Sequence, residues 1–407
     1  MEKINILVLP SDKSGVGSFR SINPHLKLEK LFPEEFHVDI SFAPDMDNIN
    51  FWKKYQIVSF HRSIGGDFTK SLETIRMLNK MGIVTVCDID DYWAPTSEHP
   101  LYHEIKKTKQ DESIKRILSE SKVVTTTTEI FGDIIRKFHK NVFVIPNAID
   151  TESSQFKTND VIEDKKIRFG WLGGSSHLHD LKLLNGTVEL LTPLKDKMKI
   201  VLCGFDTRGN KRIFDEKKGT ITVHQIEPEE STWVEYEKIF TNNYNLVSPE
   251  FKKKLMEYKE INLDDFEDES YHRLWTLPVT SYAKNYSYFD VLLAPLKNHI
   301  FNRVKSQLKV IEAGFKHKAI IASSIGPYTI DLVHAFKDGK LTDSGNAILI
   351  DENRNHKDWY KYMRKIIEQP EIAKILGERL YETVSEKYSL INVTRNRRNI
   401  YINLLNK

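Results

Sequence analysis

Two glycines, two serines and a histidine follow one another at Gly173, Gly174, Ser175, Ser176 and His177, directly after the apolar run Ile167–Leu172. Glycine lets a backbone approach a phosphate, serine hydroxyls can donate to it, and a helix N-terminus favours the anion. The pattern predicts a strand, a tight turn and a helix whose first turn holds His177, His179 and Asp180. Such a set suits a diphosphate. The plainer reading makes Ser176 an N-cap and His177 part of a solvated face. A second run, FDVLLAPLKNHIFNRVKSQLKVIEAGFKHKAIIAS, predicts a strand ending at Pro295, a polar loop and a helix from about Val304. On that helix Lys305, Lys309 and Glu312 stand at i, i+4 and i+7 and share one face, with Arg303 and Ser306 beside them. Two ammonium groups there could neutralise a departing diphosphate, and the carboxylate could grip ribose hydroxyls. The alternative is a solvated face carrying a Lys–Glu pair.

The first half has candidates of its own. The loop SDKSGVGSFR follows Ile4–Leu9 and places Gly15 and Gly17 at a strand-to-helix turn. The dinucleotide fingerprint GxGxxG fails there, because its third glycine position is Arg20. In GIVTVCDIDDYW, Asp88, Asp90 and Asp91 come directly after an apolar run. An Asp-x-Asp after a strand can hold a divalent cation and a donor diphosphate, or an Asp there can cap the next helix. His61 and Arg62 end another apolar run, before Gly65 and Gly66, and read equally as surface residues or as neighbours of an acceptor or transferred sugar. Trp93 is read either as a sugar-stacking ring or as core.

Short Ile- and Val-rich runs must position these loops: Ile4–Leu9, Ile57–Phe60, Ile83–Cys87, Val123–Thr126, Val142–Ile145, Ile167–Leu172, Lys199–Cys203, Val291–Ala294 and Ala319–Ala322. Runs without clean alternation suit strands buried on both faces, and their alternation with helical patterns argues for parallel sheets. Composition turns polar between Asp150 and Lys166, which divides the 407 residues into two α/β halves. A cleft between halves is the default ligand site. Residues 206–285 read as an insertion or helical elaboration, and the chain closes in helices. A net charge of +3 argues against bulk nucleic-acid binding, and two cysteines allow neither a disulfide framework nor a Cys-based zinc site. No window approaches the roughly 18 apolar residues of a membrane span, and the N-terminal apolar run is too short for a signal peptide.

Three passages resemble GT-B glycosyltransferases, especially the retaining family 4 type: VIPNAID at Val144–Asp150, the glycine-rich passage at 169–184, and DVLLAPL…KVIEAG…KAIIAS at 290–323. The resemblance implies an α/β GT-B fold, two Rossmann-like domains facing across a cleft. The N-terminal, acceptor-side domain is expected at 1–150, joined by C-terminal helices at about 386–407. The nucleotide-sugar-binding domain is expected at 165–385. In that family the glutamate matching Glu312 contacts the donor ribose. Two departures stand out: the first glutamate of E-x7-E is Val304 here, and the usual Arg–Lys pair is replaced by the Gly174–His177 set.

The expected activity is transfer of a sugar from a UDP- or GDP-linked donor to a hydroxyl of a glycan, lipid-linked glycan or glycoprotein, with retention and without metal or cofactor. Lys305 and Lys309 are expected to be catalytic. Gly173, Gly174, Ser175, Ser176, His177, Arg303, Ser306 and Glu312 are expected on the donor, and Gly15, Gly17, Arg20, His61, Asp90 and Asp91 on the acceptor side. The expected setting is cytoplasmic, with peripheral contact at the membrane's inner face compatible. Three alternatives remain: a metal-dependent GT-A-like transferase using Asp88 and Asp90, a nucleotide-sugar epimerase, and a non-catalytic GT-B-like partner subunit.

Overall fold

Strand β1 (Ile4–Leu9) shows why the core is built in layers, because successive side chains of a strand point to opposite faces. Leu7 and Leu9 pack into one apolar cluster with Val58, Phe60 and Ile75, whereas Ile6 and Val8 pack into another with Leu28, Val86 and Tyr401. A strand buried on both faces needs helices on both. The computed structural model describes residues 3–97, 102–157, 165–204, 210–215, 219–225, 227 and 230–406. Residues 158–164 of the polar break lie outside the described residues.

The chain forms two units. The first comprises Met1–Glu152, His299–Ile311 and Ser385–Lys407. Its sheet joins β1 to β2 (Phe36–Ile40), β3 (Ile57–His61), β4 (Val84–Ile89), β5 (Val123–Thr126) and β6 (Val142–Val144), all parallel, in the order β2-β1-β3-β4-β5-β6. The C-terminal helix Leu390–Leu405 lays Leu390, Val393, Ile400 and Tyr401 on the Ile6–Val8 face. Its Ser389 caps the Asn392 N–H, and Leu390 N–H donates to the Ile149 carbonyl.

The second unit comprises Ser153–Asn298 and Glu312–Val384. Its strands are β7 (Ile167–Gly173), β8 (Met198–Gly204), β9 (Asn210–Asp215), β10 (Thr220–Gln225), β11 (Tyr271–Trp275), β12 (Val291–Ala294), β13 (Ala319–Ser323), β14 (Phe336–Lys337), β15 (Lys340–Leu341) and β16 (Ile348–Ile350). Six form a parallel sheet in the order β11-β8-β7-β12-β13-β16. Gly170 on β7 is required by packing, since a Cβ there would stand 2.2 Å from the Phe289 ring.

Strand β11 extends the sheet from its edge, and helix Thr232–Thr241 buries Trp233, Tyr236 and Phe240 in the unit's core. In the two six-stranded sheets, three strands go beyond the apolar runs: β2, β11 and β16. Each is a sheet edge.

Candidate functional site

The two units each carry a cluster of polar groups at the carboxyl ends of their strands, where open parallel sheets hold ligands. In the second unit, β7 runs into Gly173 and Gly174, followed by a tight turn over Ser175–His177 and a single helical turn over Leu178–Leu181. Gly174 is the residue before the turn, in place of the Ser176 cap considered from sequence. The His177 ring bonds through Nδ1 to Asp180 at 2.8 Å, and Asp180 also accepts the Lys297 N–H at 2.8 Å. Asp180 is buried, so it fixes the orientation of a half-buried imidazole. Lys297 Nζ lies 2.7 Å from His179 Nε2.

Tyr236 was not legible as a site residue, yet its hydroxyl spans this turn. It donates to the Gly174 carbonyl at 3.1 Å and accepts the His177 N–H at 2.9 Å. One of the amides expected to face a phosphate is therefore already bonded. Trp171 packs edge-on to both His177 and Tyr236.

Glu312 lies in the same unit and is 3% exposed. Its carboxylate accepts the hydroxyls of Tyr282 and Tyr286, the latter at 2.8 Å. Burial, then the Glu312 charge, raises both phenols well above their usual range. The spacing of the two tyrosines, four residues apart in SYAKNYSYFD, was the available sequence signal.

The expected shared face of Lys305, Lys309 and Glu312 is corrected. Helix Ile300–Arg303 ends before Lys305, and the next helix is Leu308–Phe315, so Lys305 and Ser306 lie in the loop between them. Side-chain anchoring holds that loop out of a helix: Val304 is buried in the first unit's core, Ser306 Oγ accepts Asn147 Nδ2 at 3.0 Å, and Gln307 donates to Tyr388 Oη at 2.9 Å. Lys305 Nζ stands 5.2 Å from the Phe301 ring centroid. Arg303 is exposed and Lys309 half-buried. Arg303, Lys305, Ser306 and Lys309 belong to the first unit and Glu312 to the second.

In the first unit the glycine loop is filled from within. Asp12 Oδ1 accepts the Ser14 N–H at 2.7 Å and the Gly17 N–H at 3.3 Å. Desolvation would raise this carboxyl, but bonds from Ser11, Ser14 and Gly17 bring it below its usual value. A Cβ on Gly17 would meet the Asp12 carbonyl at 1.8 Å, so close approach accounts for this glycine, whereas Gly15 has open space. Arg20 is 2% exposed and bidentate on Asp88, at 3.0 Å from Nε and 2.7 Å from Nη2; its Nη1 donates to the Ile145 carbonyl and Asn147.

Asp88 also accepts Thr125 Oγ1 at 2.6 Å. Asp90 accepts from His61 Nε2 at 2.9 Å and from Arg62 at 3.1 Å. Burial works against the Asp90 anion, but His61 and Arg62 hold its carboxyl far below the usual range; burial, then neighbouring Asp90, raises Asp91. This donor set does not fit the metal-binding alternative, because Asp88 is ion-paired with Arg20 and Asp90 with Arg62, and His61 hydrogen-bonds to Asp90 as well. Among the described residues no group of three or more His, Cys, Asp or Glu is arranged to hold a metal. Arg62 has φ of 62°, a conformation that costs a non-glycine residue energy. Trp93 takes the core reading, packed on Phe131 and edge-on to Phe138.

No family model matches the chain, and no curated protein resembles it in sequence. Solved structures resemble it in fold. HepE of Anabaena, in complex with UDP and glucose, is 9% identical with a TM-score of 0.57, covering 98% of this chain and 99% of that one. The catalytic domain of starch synthase IV from Arabidopsis thaliana, bound to ADP and acarbose, is 10% identical with a TM-score of 0.56 over 100% of both chains. A variant of TarM from S. aureus is 14% identical with a TM-score of 0.51, covering 86% of this chain and 55% of that one. The fold is GT-B, with two Rossmann-like α/β units. Among the described residues no helix is long and apolar enough to cross a membrane.

Proposed function

We propose that the chain is a glycosyltransferase that moves a sugar from a nucleotide donor to a hydroxyl of a glycan or glycolipid acceptor. The observation that carries this reading is the Gly173–His177 turn at the end of a central strand of a GT-B unit, with its imidazole set by Asp180. HepE is described with UDP-glucose, and the starch synthase domain with ADP, which supports a nucleotide-sugar ligand here. Gly173, Gly174, Ser175, Ser176 and His177 hold the diphosphate in this proposal, and Glu312, set by Tyr282 and Tyr286, takes the ribose. The base is uracil or guanine, following the sequence reading.

The proposed reaction is retaining and needs no metal. The bond from the anomeric carbon to the leaving phosphate breaks as the acceptor oxygen bonds to the same face of that carbon. The acceptor's proton passes to the leaving phosphate. Lys305 and Lys309 are proposed to stabilise the growing diphosphate charge, with Arg303 and Ser306 as further donor contacts. Gly15, Gly17, His61 and Asp91 remain proposed acceptor-side residues. Arg20 and Asp90 serve that side by bracing it from within.

A screen of UDP-, GDP- and ADP-sugars against hydroxyl acceptors, with product anomers read by NMR, tests the reading. We expect transfer that persists in EDTA and a loss of about 10²–10³ in kcat for Lys305→Ala, typical of removing one group that stabilises developing charge. Donor consumed equally without acceptor would instead indicate an epimerase or hydrolase. An unchanged melting temperature with every nucleotide would indicate a non-catalytic subunit.

A further inference from the structure

Strand β7 pairs with β8 on one side and with β12 on the other, so the strand order of the second sheet reverses between β7 and β12. Open parallel sheets hold ligands in the crevice beyond the strand ends at such a point. The two loops that flank it here touch. Lys297, in the loop after β12, donates its N–H to Asp180 Oδ1 at 2.8 Å. Its Nζ lies 2.7 Å from Nε2 of His179, in the helical turn that follows β7 and its glycines. His179 and Lys297 are half-buried, and Ser175 and Ser176 of the same connection are exposed, so solvent reaches this crevice.

The contact joins two bases. An ammonium has only donors, so Lys297 holds this bond as a cation when Nε2 of His179 carries no proton. With the proton on Nε2 instead, Lys297 accepts it as a neutral amine. Either way one proton is shared, and the pair carries one positive charge where its side chains have room for two. Around it stand His177 and Asp180 on the same turn, Lys182 on the next, and Tyr236 on helix Thr232–Thr241. Tyr328 lies beyond Asp180, and burial, then the Asp180 charge, pushes its phenol up. Buried Asp180 spends one oxygen on His177 Nδ1 and the other on the Lys297 N–H, so it sets both bases in place.

We infer that His179 and Lys297 form a phosphate clamp that takes up one proton as it closes on the diphosphate of a sugar nucleotide. The inference rests on the nucleotide-sugar reading and adds two groups that the reading leaves idle. The diphosphate of a sugar nucleotide is esterified at both ends and carries one negative charge on each phosphate. Against that charge the pair no longer has to share. A proton from solvent goes to Nε2, the bond between the two nitrogens opens, and Nε2–H and Nζ–H each donate to a phosphate oxygen. Two negative charges then meet two positive ones, all from within the second unit.

Titration calorimetry of the full chain with UDP-glucose, GDP-mannose and ADP-glucose tests this, at one pH just above neutrality in two buffers of low and high ionisation enthalpy. None of these probes has a phosphate that titrates near neutrality, so a proton drawn from the buffer is bound by the protein. Wild type should bind one of them with enthalpies that differ between the buffers by about one proton's worth. His179→Gln should remove that difference and weaken binding, whereas His177→Gln should keep it. Lys297→Met should weaken binding about 10–100-fold, the range for losing a hydrogen bond between charged groups. Its unfolding midpoint should stay, because the bond to Asp180 comes from the backbone. Lys297→Arg should recover most of the affinity. Equal enthalpies in the two buffers, or a difference that survives His179→Gln, would overturn the clamp and leave the nucleotide-sugar reading standing. A wild type that binds none of the three donors would overturn both.

Discussion

Glu312 illustrates how one buried acid can serve a structure and a ligand together. Its carboxylate is the acceptor for two tyrosine hydroxyls, that of buried Tyr286 and that of half-buried Tyr282. Removing it by Glu312→Ala should destabilise the second unit by about 1–3 kcal/mol for the orphaned hydroxyl of buried Tyr286, with a smaller addition from half-buried Tyr282. Adding Tyr282→Phe and Tyr286→Phe should recover much of that loss, because both partners are then apolar. Urea midpoints of the single, double and triple variants measure this coupling. Equal midpoints for wild type and Glu312→Ala would remove the acid's structural role. Glu312→Gln, which keeps one acceptor oxygen, is the better variant for donor KM, where fold and ligand effects must be kept apart.

Among the elements, the seam between helix Asn23–Leu31 and helix Leu390–Leu405 carries a pH signature. His25 belongs to the first and bonds Tyr401 on the second. With a folded pKa of about 3 against about 6.5 unfolded, the unfolded chain takes up a proton below pH 6.5 that the native state refuses. Stability is thus unaffected above pH 6.5 and falls as pH drops towards 3, by up to about 1.4 kcal/mol per pH unit from this group. His25→Gln should flatten that limb of the pH–stability curve. A curve unchanged in His25→Gln would show that the histidine does not bear it.

The same scale explains what the amino-acid pattern made legible. Strands buried on both faces, such as β12 (VLLA), read as apolar runs because packing on either side favours apolar residues at every position. The edge strands β2 (FHVDI) and β11 (YHRLW) mix in histidine, aspartate and arginine, and β16 has only three residues. Their pairing comes from neighbours far away in sequence, which local composition does not record. The glycine turn after β7 was legible because a strand must end there. The break at Val304–Gln307 was not, because Asn147 and Tyr388, the partners of Ser306 and Gln307, lie 159 and 81 residues distant. Tyr236 escaped for the same reason.

At the scale of the whole molecule, the first unit draws on three stretches of chain, the last being Ser385–Lys407. Leu390, Val393, Ile400 and Tyr401 cover the Ile6–Val8 side of its sheet, and the Arg398–Glu35 pair at 2.7 Å ties the helix to the start of β2. A chain truncated before Ser385 should therefore lose protection chiefly in β1 and β2, whose sequence is untouched. Strands β7, β8 and β12 should keep slow amide exchange. Hydrogen exchange read by mass spectrometry distinguishes this from uniform loosening, which would contradict the assignment of the helix to the first unit.

That discontinuity has a consequence for how the protein is made. Synthesis proceeds at about 5–20 residues per second, so on the order of 10–50 s separates β6 from the helix that covers its sheet. Every segment of the second unit is translated before Ser385. Domains usually fold in the order in which they emerge, N-terminal first. Here we expect the order to be reversed: the later-coded unit can close first, while the earlier one waits for the helix that covers Ile6, Val8 and Val86. A nascent chain in that condition is a natural client for a holdase chaperone.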